Sequence, residues 1–271
     1  MRYKLLPATV VALLLIFGNP LLASAATVPL PSSMASAGDS ITRAYDSTWW
    51  GCFLSDCPQY SWSTGTSGSV NSQYRRILAM NPAINGREFN DARTGARMAD
   101  LDGQLKAAAG QGVQYVTVLM GANDLCIPSA ATMTPVATFQ AEAQQALAGF
   151  FAADRRAHLY LSSLPDIYQL WFQLHTDALA VSTWSAFDIC QSMLSTSNTE
   201  ADRQLVVARE AADNAALKAT CSHFANCRWD GYAGYNFKFP AGDISTIDYF
   251  HPNLAGQNAV ASITWRAGYW G

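Results

Sequence analysis

A chain of 271 residues with half its residues hydrophobic and 14% charged can bury one sizeable core as a single domain. Its formal net charge of -3 offers no basic field for nucleic acid. The chain also lacks a P-loop, a Rossmann glycine fingerprint, a His-Glu-x-x-His zinc motif and the Gly-x-Ser-x-Gly elbow of α/β-hydrolases, so nucleotide, zinc-protease and elbow-type readings are set aside.

The first segment pairs a basic start, Met1-Arg2-Tyr3-Lys4, with an apolar stretch from Leu5 to Phe17 and the small-residue site Ala23-Ser24-Ala25. This is the pattern of a secretory signal peptide over residues 1–25, cut after Ala25, with the working domain over residues 26–271. The apolar run is short for a membrane anchor of about 20 residues. The expectation is therefore a secreted, extracellular monomer with no stable membrane span.

Past the leader, strand and helix signals alternate. Ser33 to Ala37, Tyr115 to Met120 and His158 to Ser162 read as buried strands, with Arg87 to Asn90 a weaker one. Met98, Leu101, Leu105 and Ala108 fall at helical spacing. Thr134-Pro135 reads as a helix start with threonine as cap and proline in the first turn, followed by the apolar face Val136, Phe139, Ala143, Leu147 and Phe150. Glu200 to Ala219 is alanine-rich and helical, and a last helix is expected from about Pro252 to Trp265. Such alternation specifies an α/β fold, a three-layer, doubly wound and mostly parallel sheet, with its site at the carboxyl ends of the strands.

Two stretches interrupt this rhythm. Trp49 to Gly68 is rich in Ser, Thr, Gly and Trp and reads as a long loop whose Trp49, Trp50 and Trp62 are exposed and available to stack on sugar rings. Asp166 to Ser197 carries Tyr168, Trp171, Phe172, Leu174, Leu179, Trp184 and Phe187, read as an extra helical layer with core aromatics in preference to a wall for an acyl chain. Six cysteines in an exported chain suggest three disulfides. Of the 15 possible pairings, sequence neighbours favour Cys52 with Cys57 and Cys221 with Cys227, which leaves Cys126 with Cys190. No pair has Cys-x-x-Cys spacing and only His223 lies near a cysteine, so neither a metal nor a cofactor is expected.

Chemistry is carried by separated fragments: Gly38-Asp39-Ser40-Ile41, Gly121-Ala122-Asn123-Asp124 after an apolar run, and Asp248-Tyr249-Phe250-His251-Pro252. A serine hydroxyl needs a base to take its proton and an acid to orient that base. An aspartate three residues before a histidine can fold back onto Nδ1, leaving Nε2 for Ser40. Ser40 alone is compatible with a helix cap and Asn123 with a turn former. Asp39 and Asp124 read as loop-holding residues, and His158, His175 and His223 as structural.

These blocks in this order, with the glycine of Asn90-Asp91-Ala92-Arg93-Thr94-Gly95, resemble the SGNH hydrolases, or GDSL-type esterases and lipases, over residues 33 to 265. Ile41 stands where the family name has leucine. The resemblance implies a flavodoxin-like fold and carboxylic-ester hydrolysis through an acyl-enzyme. It assigns Ser40 as nucleophile, His251 as base, Asp248 as orienting acid, and Ser40, Gly95 and Asn123 as oxyanion donors. Substrate classes left open are lipid or short acyl esters, including phospholipids, and acylated polysaccharide. A non-catalytic binding protein is the third class.

Overall fold

The computed structural model describes Met1 and residues 28–271. The export segment expected over residues 1–25 lies outside the described residues. Among the described residues, no helix is long and apolar enough to cross a membrane.

Five parallel strands form one sheet: β1 (Met34–Gly38), β2 (Glu88–Asn90), β3 (Tyr115–Leu119), β4 (His158–Leu161) and β5 (Cys227–Trp229). Their spatial order is β2-β1-β3-β4-β5. That is the flavodoxin-like doubly wound order, whose direction of winding reverses between β1 and β3.

Side-chain alternation assigns each face of the sheet its own core. Ala35 and Ala37 of β1, Val116 and Val118 of β3, and Leu159 and Leu161 of β4 pack into the larger cluster. That cluster also takes residues of α2 (Leu101–Gln111), α4 (Val136–Ala153) and α8 (Glu200–Cys221). Met34, Tyr115, Leu119 and Tyr160 face the other way, toward α1 (Gln73–Met80) and α10 (Leu254–Ala267). Buried on both faces, β1, β3 and β4 read as apolar or small-residue runs. The short α3 (Ala122–Leu125) and α9 (Ala233–Asn236) follow β3 and β5.

Asp166 to Ser197 forms α5 (Ile167–Leu174), α6 (Ala178–Ala186) and α7 (Gln191–Leu194). Leu174 and Trp184 are core as expected, whereas Phe172, Leu179 and Phe187 are exposed. The three disulfides are Cys52–Cys57, Cys126–Cys190 and Cys221–Cys227, and no cysteine is free among the described residues.

Three further sequence expectations are corrected. Trp62 is fully buried: its backbone N–H donates to Gln257 Oε1 and its indole N–H to Thr42 Oγ1. Polar Ser63 and Thr64, which made the stretch look like surface, instead hydrogen-bond to Thr117 of β3 and Ser36 of β1, so this loop lies against the sheet. Thr134 does not cap α4. Pro135 occupies the cap position, and the Thr134 hydroxyl donates to Asp124 Oδ1 at 2.8 Å. The last helix begins two residues later than expected, at Leu254, because Asn253 accepts from the backbone N–H groups of Ala255 and Gly256 and sets the start.

Candidate active site

Ser40 sits two residues beyond the carboxyl end of β1, and Asn123 opens the turn beyond β3, so both lie at the switch point of the sheet. The approach to Ser40 is narrow. A Cβ on Gly38 would come within 2.5 Å of the Leu119 carbonyl oxygen, so only glycine lets the chain leave β1 this close to β3. Gln104 of α2 fastens the same residue, accepting from Gly38 N–H at 2.7 Å and donating to its carbonyl at 3.0 Å. Gly121 has φ of 129°, and a side chain there would run into Phe139 and Leu164.

His251 Nε2 lies 2.7 Å from Ser40 Oγ, and its Nδ1 hydrogen-bonds to Asp248 Oδ2. The other Asp248 oxygen accepts the backbone N–H groups of Phe250 (2.9 Å) and His251 (3.0 Å). The three-residue spacing works because this loop folds back on itself, with Tyr249 at φ of 55°. Tyr45 and Phe250 place their rings about the imidazole, with centroids at 5.1 and 5.0 Å. Asp243 plays no part in the pair: its backbone carbonyl accepts from Asn253 N–H on the far side of the loop.

Burial pulls the His251 pKa down, but the charge and hydrogen bond of Asp248, with smaller contributions from Asp39 and Asp46, outweigh it and leave it raised. Burial pushes the Asp248 carboxyl up, yet the facing imidazole and the hydrogen bonds from His251 and Phe250 bring it below its ordinary value. Asp39 is fully buried, accepts from Ile41 N–H through one oxygen and leaves the other unpartnered. Burial, resisted by that hydrogen bond, raises its pKa to about 6.

Three donors on the loops that follow β1, β2 and β3 lack a full set of partners. The backbone N–H groups of Ser40 and Gly95 donate to no other described group. Asn123 Nδ2 spends one hydrogen on the Ala96 carbonyl at 3.0 Å, which holds the amide beside the Gly95 turn and leaves its second hydrogen free. Gly95 itself has φ of 79°, a left-handed turn that glycine adopts without strain. Asp124 holds the loops beneath, accepting from Met98 N–H and from Thr134.

An apolar cleft lies at the carboxyl edge of the sheet. Ile41, Ala122, Phe250 and Pro252 in its lining are immediate chain neighbours of Ser40, Asn123 and His251, and Ile167 and Leu170 of α5 form another wall. A second, more polar cleft is lined by Ser47, Thr48, Trp49, Trp50, Ser245, Thr246, Asn253, Leu254 and Ala255. Trp49 and Trp50 are 56% and 89% exposed, as their surroundings in the sequence suggest. Among the described residues, one group of metal-ligand type side chains brings its atoms within 4.8 Å of one another: Asp46, Asp248 and His251. Two of these are committed to each other and to Ser40. Asp46, Tyr45 and Gln104 carry no motif that singles them out in the sequence.

No curated protein matches the chain. Solved structures share its architecture at low identity. A putative GDSL-like lipase from Parabacteroides merdae superposes with a TM-score of 0.54 at 14% identity, covering 87% of this chain and 94% of that one. An acetyl xylan esterase does so at 0.52 and 15% identity, with 86% and 98% covered. A carbohydrate esterase family 2 enzyme with its carbohydrate-binding domain, from Corynascus thermopiles, does so at 0.50 and 18%, with 89% and 68% covered. At these identities the likeness speaks for the fold. The model of the GDSL-like lipase/acylhydrolase family matches residues 36–259, a span that takes in Ser40, Asn123, Asp248 and His251. The chain belongs to the GDSL-like lipase/acylhydrolase family and is a carboxylic ester hydrolase.

Proposed function

We propose that this protein is a secreted serine esterase that works through an acyl-enzyme on Ser40. The observation that carries the reading is the continuous chain from Ser40 Oγ through the His251 ring to Asp248. His251 Nε2 takes the Ser40 proton as Oγ attacks the ester carbonyl, and Asp248 stabilises the imidazolium that forms. The oxyanion is held by the free N–H groups of Ser40 and Gly95 and the second amide hydrogen of Asn123. The alcohol leaves with the proton from His251, and water, activated by the same nitrogen, releases the acid. Export is supported by the leader pattern and by three disulfides in a chain without free described cysteines.

The apolar cleft beside the catalytic residues favours an ester with an apolar acyl chain. The exposed Trp49 and Trp50 on a polar cleft favour a second reading, deacylation of an acylated polysaccharide whose sugar rings stack on indole. A fluorophosphonate should label the protein once, and Ser40→Ala should abolish labelling and lower kcat at least about a thousandfold. Labelling that survives in the variant refutes the acyl-enzyme. Esters from acetyl to long acyl, acetylated xylan and a phospholipid then separate the substrate classes: highest kcat/KM on acetylated xylan selects the second reading.

A further inference from the structure

Asp46 is fully buried, and no mechanism above uses it. It stands on the loop after Ser40 with φ of 53°, a left-handed conformation that a non-glycine residue adopts at a cost. Both of its own backbone polar groups are spoken for: its N–H donates to the Ser55 carbonyl, and its carbonyl accepts from Ser245 Oγ at 2.6 Å. One side-chain oxygen accepts from Leu54 N–H at 2.5 Å. The second has no donor. One oxygen of the Asp46 carboxyl lies within 4.8 Å of an Asp248 carboxylate oxygen and a His251 ring nitrogen.

We propose that Asp46, as a neutral carboxylic acid, donates a hydrogen bond from this second oxygen to Asp248 and so acts as a positioning residue for the Asp248–His251 pair. Two buried carboxyls this close disfavour ionisation of both, so one of them holds its proton to a higher pH. The proton belongs on Asp46, because Asp248 accepts two backbone N–H groups and the imidazole, whereas Asp46 accepts one N–H. In that state no oxygen of the pair is orphaned. Burial first, and then the Asp248 charge, raise the Asp46 pKa to about 7 against the opposing pull of Leu54 N–H and His251, while Asp248 is lowered.

The charged and titratable groups around this pair are few. Tyr45 precedes Asp46 on its own loop, Asp39 acts on His251 from beyond β1, and the disulfide-clipped loop contributes Asp56, already paired with Arg43 at 2.9 Å. A donor on Asp248 withdraws part of its charge from His251, so the imidazolium is held less tightly. It also fixes the carboxyl plane that presents Oδ2 to Nδ1. The same clipped loop supplies both Leu54 and Ser55, so the short Cys52–Cys57 bridge sets where Asp46 stands.

The proposal rests on the Ser40 reading, and Ser40→Ala separates the two: hydrolysis there at a rate close to that of the unaltered enzyme condemns the nucleophile, whatever the Asp46 variants show. Asp46→Ala should lower kcat roughly 10 to 100-fold with KM unchanged. Asp46→Asn, whose amide keeps a donor facing Asp248 but cannot titrate, should restore most of that loss. The acid limb of kcat/KM should lie higher in Asp46→Ala than in Asp46→Asn by roughly half a pH unit or more, since only the latter still bonds to Asp248. Equal impairment of the two variants, or profiles that coincide, overturns the assignment. If Asp46→Ala does not fold, Asp46→Asn decides alone: a loss beyond about tenfold in kcat at unchanged KM overturns it.

Discussion

Replacing both Cys126 and Cys190 with serine should cost more stability than opening either of the other bridges, by an amount that loop length sets. The Cys126–Cys190 bridge spans 64 positions, against 5 and 6 for Cys52–Cys57 and Cys221–Cys227. Chain entropy then gives about 4 kcal/mol for the long loop and about 2 kcal/mol for each short one. For a domain of this size that is a fall in Tm of roughly 8–16 °C for the long bridge and about half as much for a short one. The variant should still fold, because Ser192 ties the same two segments together, donating through N–H to the Ile127 carbonyl and through its hydroxyl to the Leu125 carbonyl. Activity should fall less than stability. Cys126 follows Asn123 by three residues, but the Asn123 amide is anchored separately on Ala96. Thermal unfolding of the three double-serine variants, with kcat measured well below each Tm, tests this. A Cys126/Cys190 variant that melts no lower than the Cys221/Cys227 variant refutes the loop-entropy reasoning.

On the proposed mechanism, in which its free amide hydrogen meets the oxyanion only in the transition state, Asn123→Ala should reduce kcat roughly 100 to 1000-fold with KM little changed; steady-state kinetics with a rise in KM at normal kcat would contradict that role. Asp213 of α8 is fully buried with neither oxygen partnered, and burial, offset by Arg209, raises its pKa to about 7. Between the ordinary carboxyl value and about 7 the folded chain keeps a proton that the unfolded chain has lost, so this group makes stability fall as pH rises through that window. Asp213→Asn should therefore raise Tm by roughly 2–10 °C at pH 8 and leave it nearly unchanged at pH 4. Melting curves that shift equally at both pH values would show that the carboxyl is not the titrating group.

How much of the molecule can be read from the chain depends on how local each cause is. Strands β1, β3 and β4 are buried on both faces, so their apolar or small-residue runs announce them without context. Strand β5 is three residues with Arg228 exposed at its centre, and only its pairing with β4 makes it a strand. The Asp248–His251 contact is legible because one turn of loop decides it. Trp62 is misread because its neighbours Ser63 and Thr64 look solvated, and their partners Thr117 and Ser36 lie on strands far away in the chain. Asp46 is illegible for the same reason.

That difference bears on the chemistry. A catalytic histidine needs an acid whose place is secure, and the local turn at Asp248 supplies the reach but leaves the carboxyl in a buried, partly negative setting. Two backbone N–H groups from that same turn offset some of its charge. The rest of the support must come from a segment that the turn does not control. On the proposed mechanism it arrives on the loop following Ser40 itself, so that one segment carries both Ser40 and Asp46. Tyr45 joins them, its backbone N–H donating to the Ser40 carbonyl at 3.1 Å while its ring packs on His251. On that mechanism, displacing this loop would disturb nucleophile, base and acid together, and the Cys52–Cys57 bridge closes its far arm, where Cys57 N–H donates to the Arg43 carbonyl.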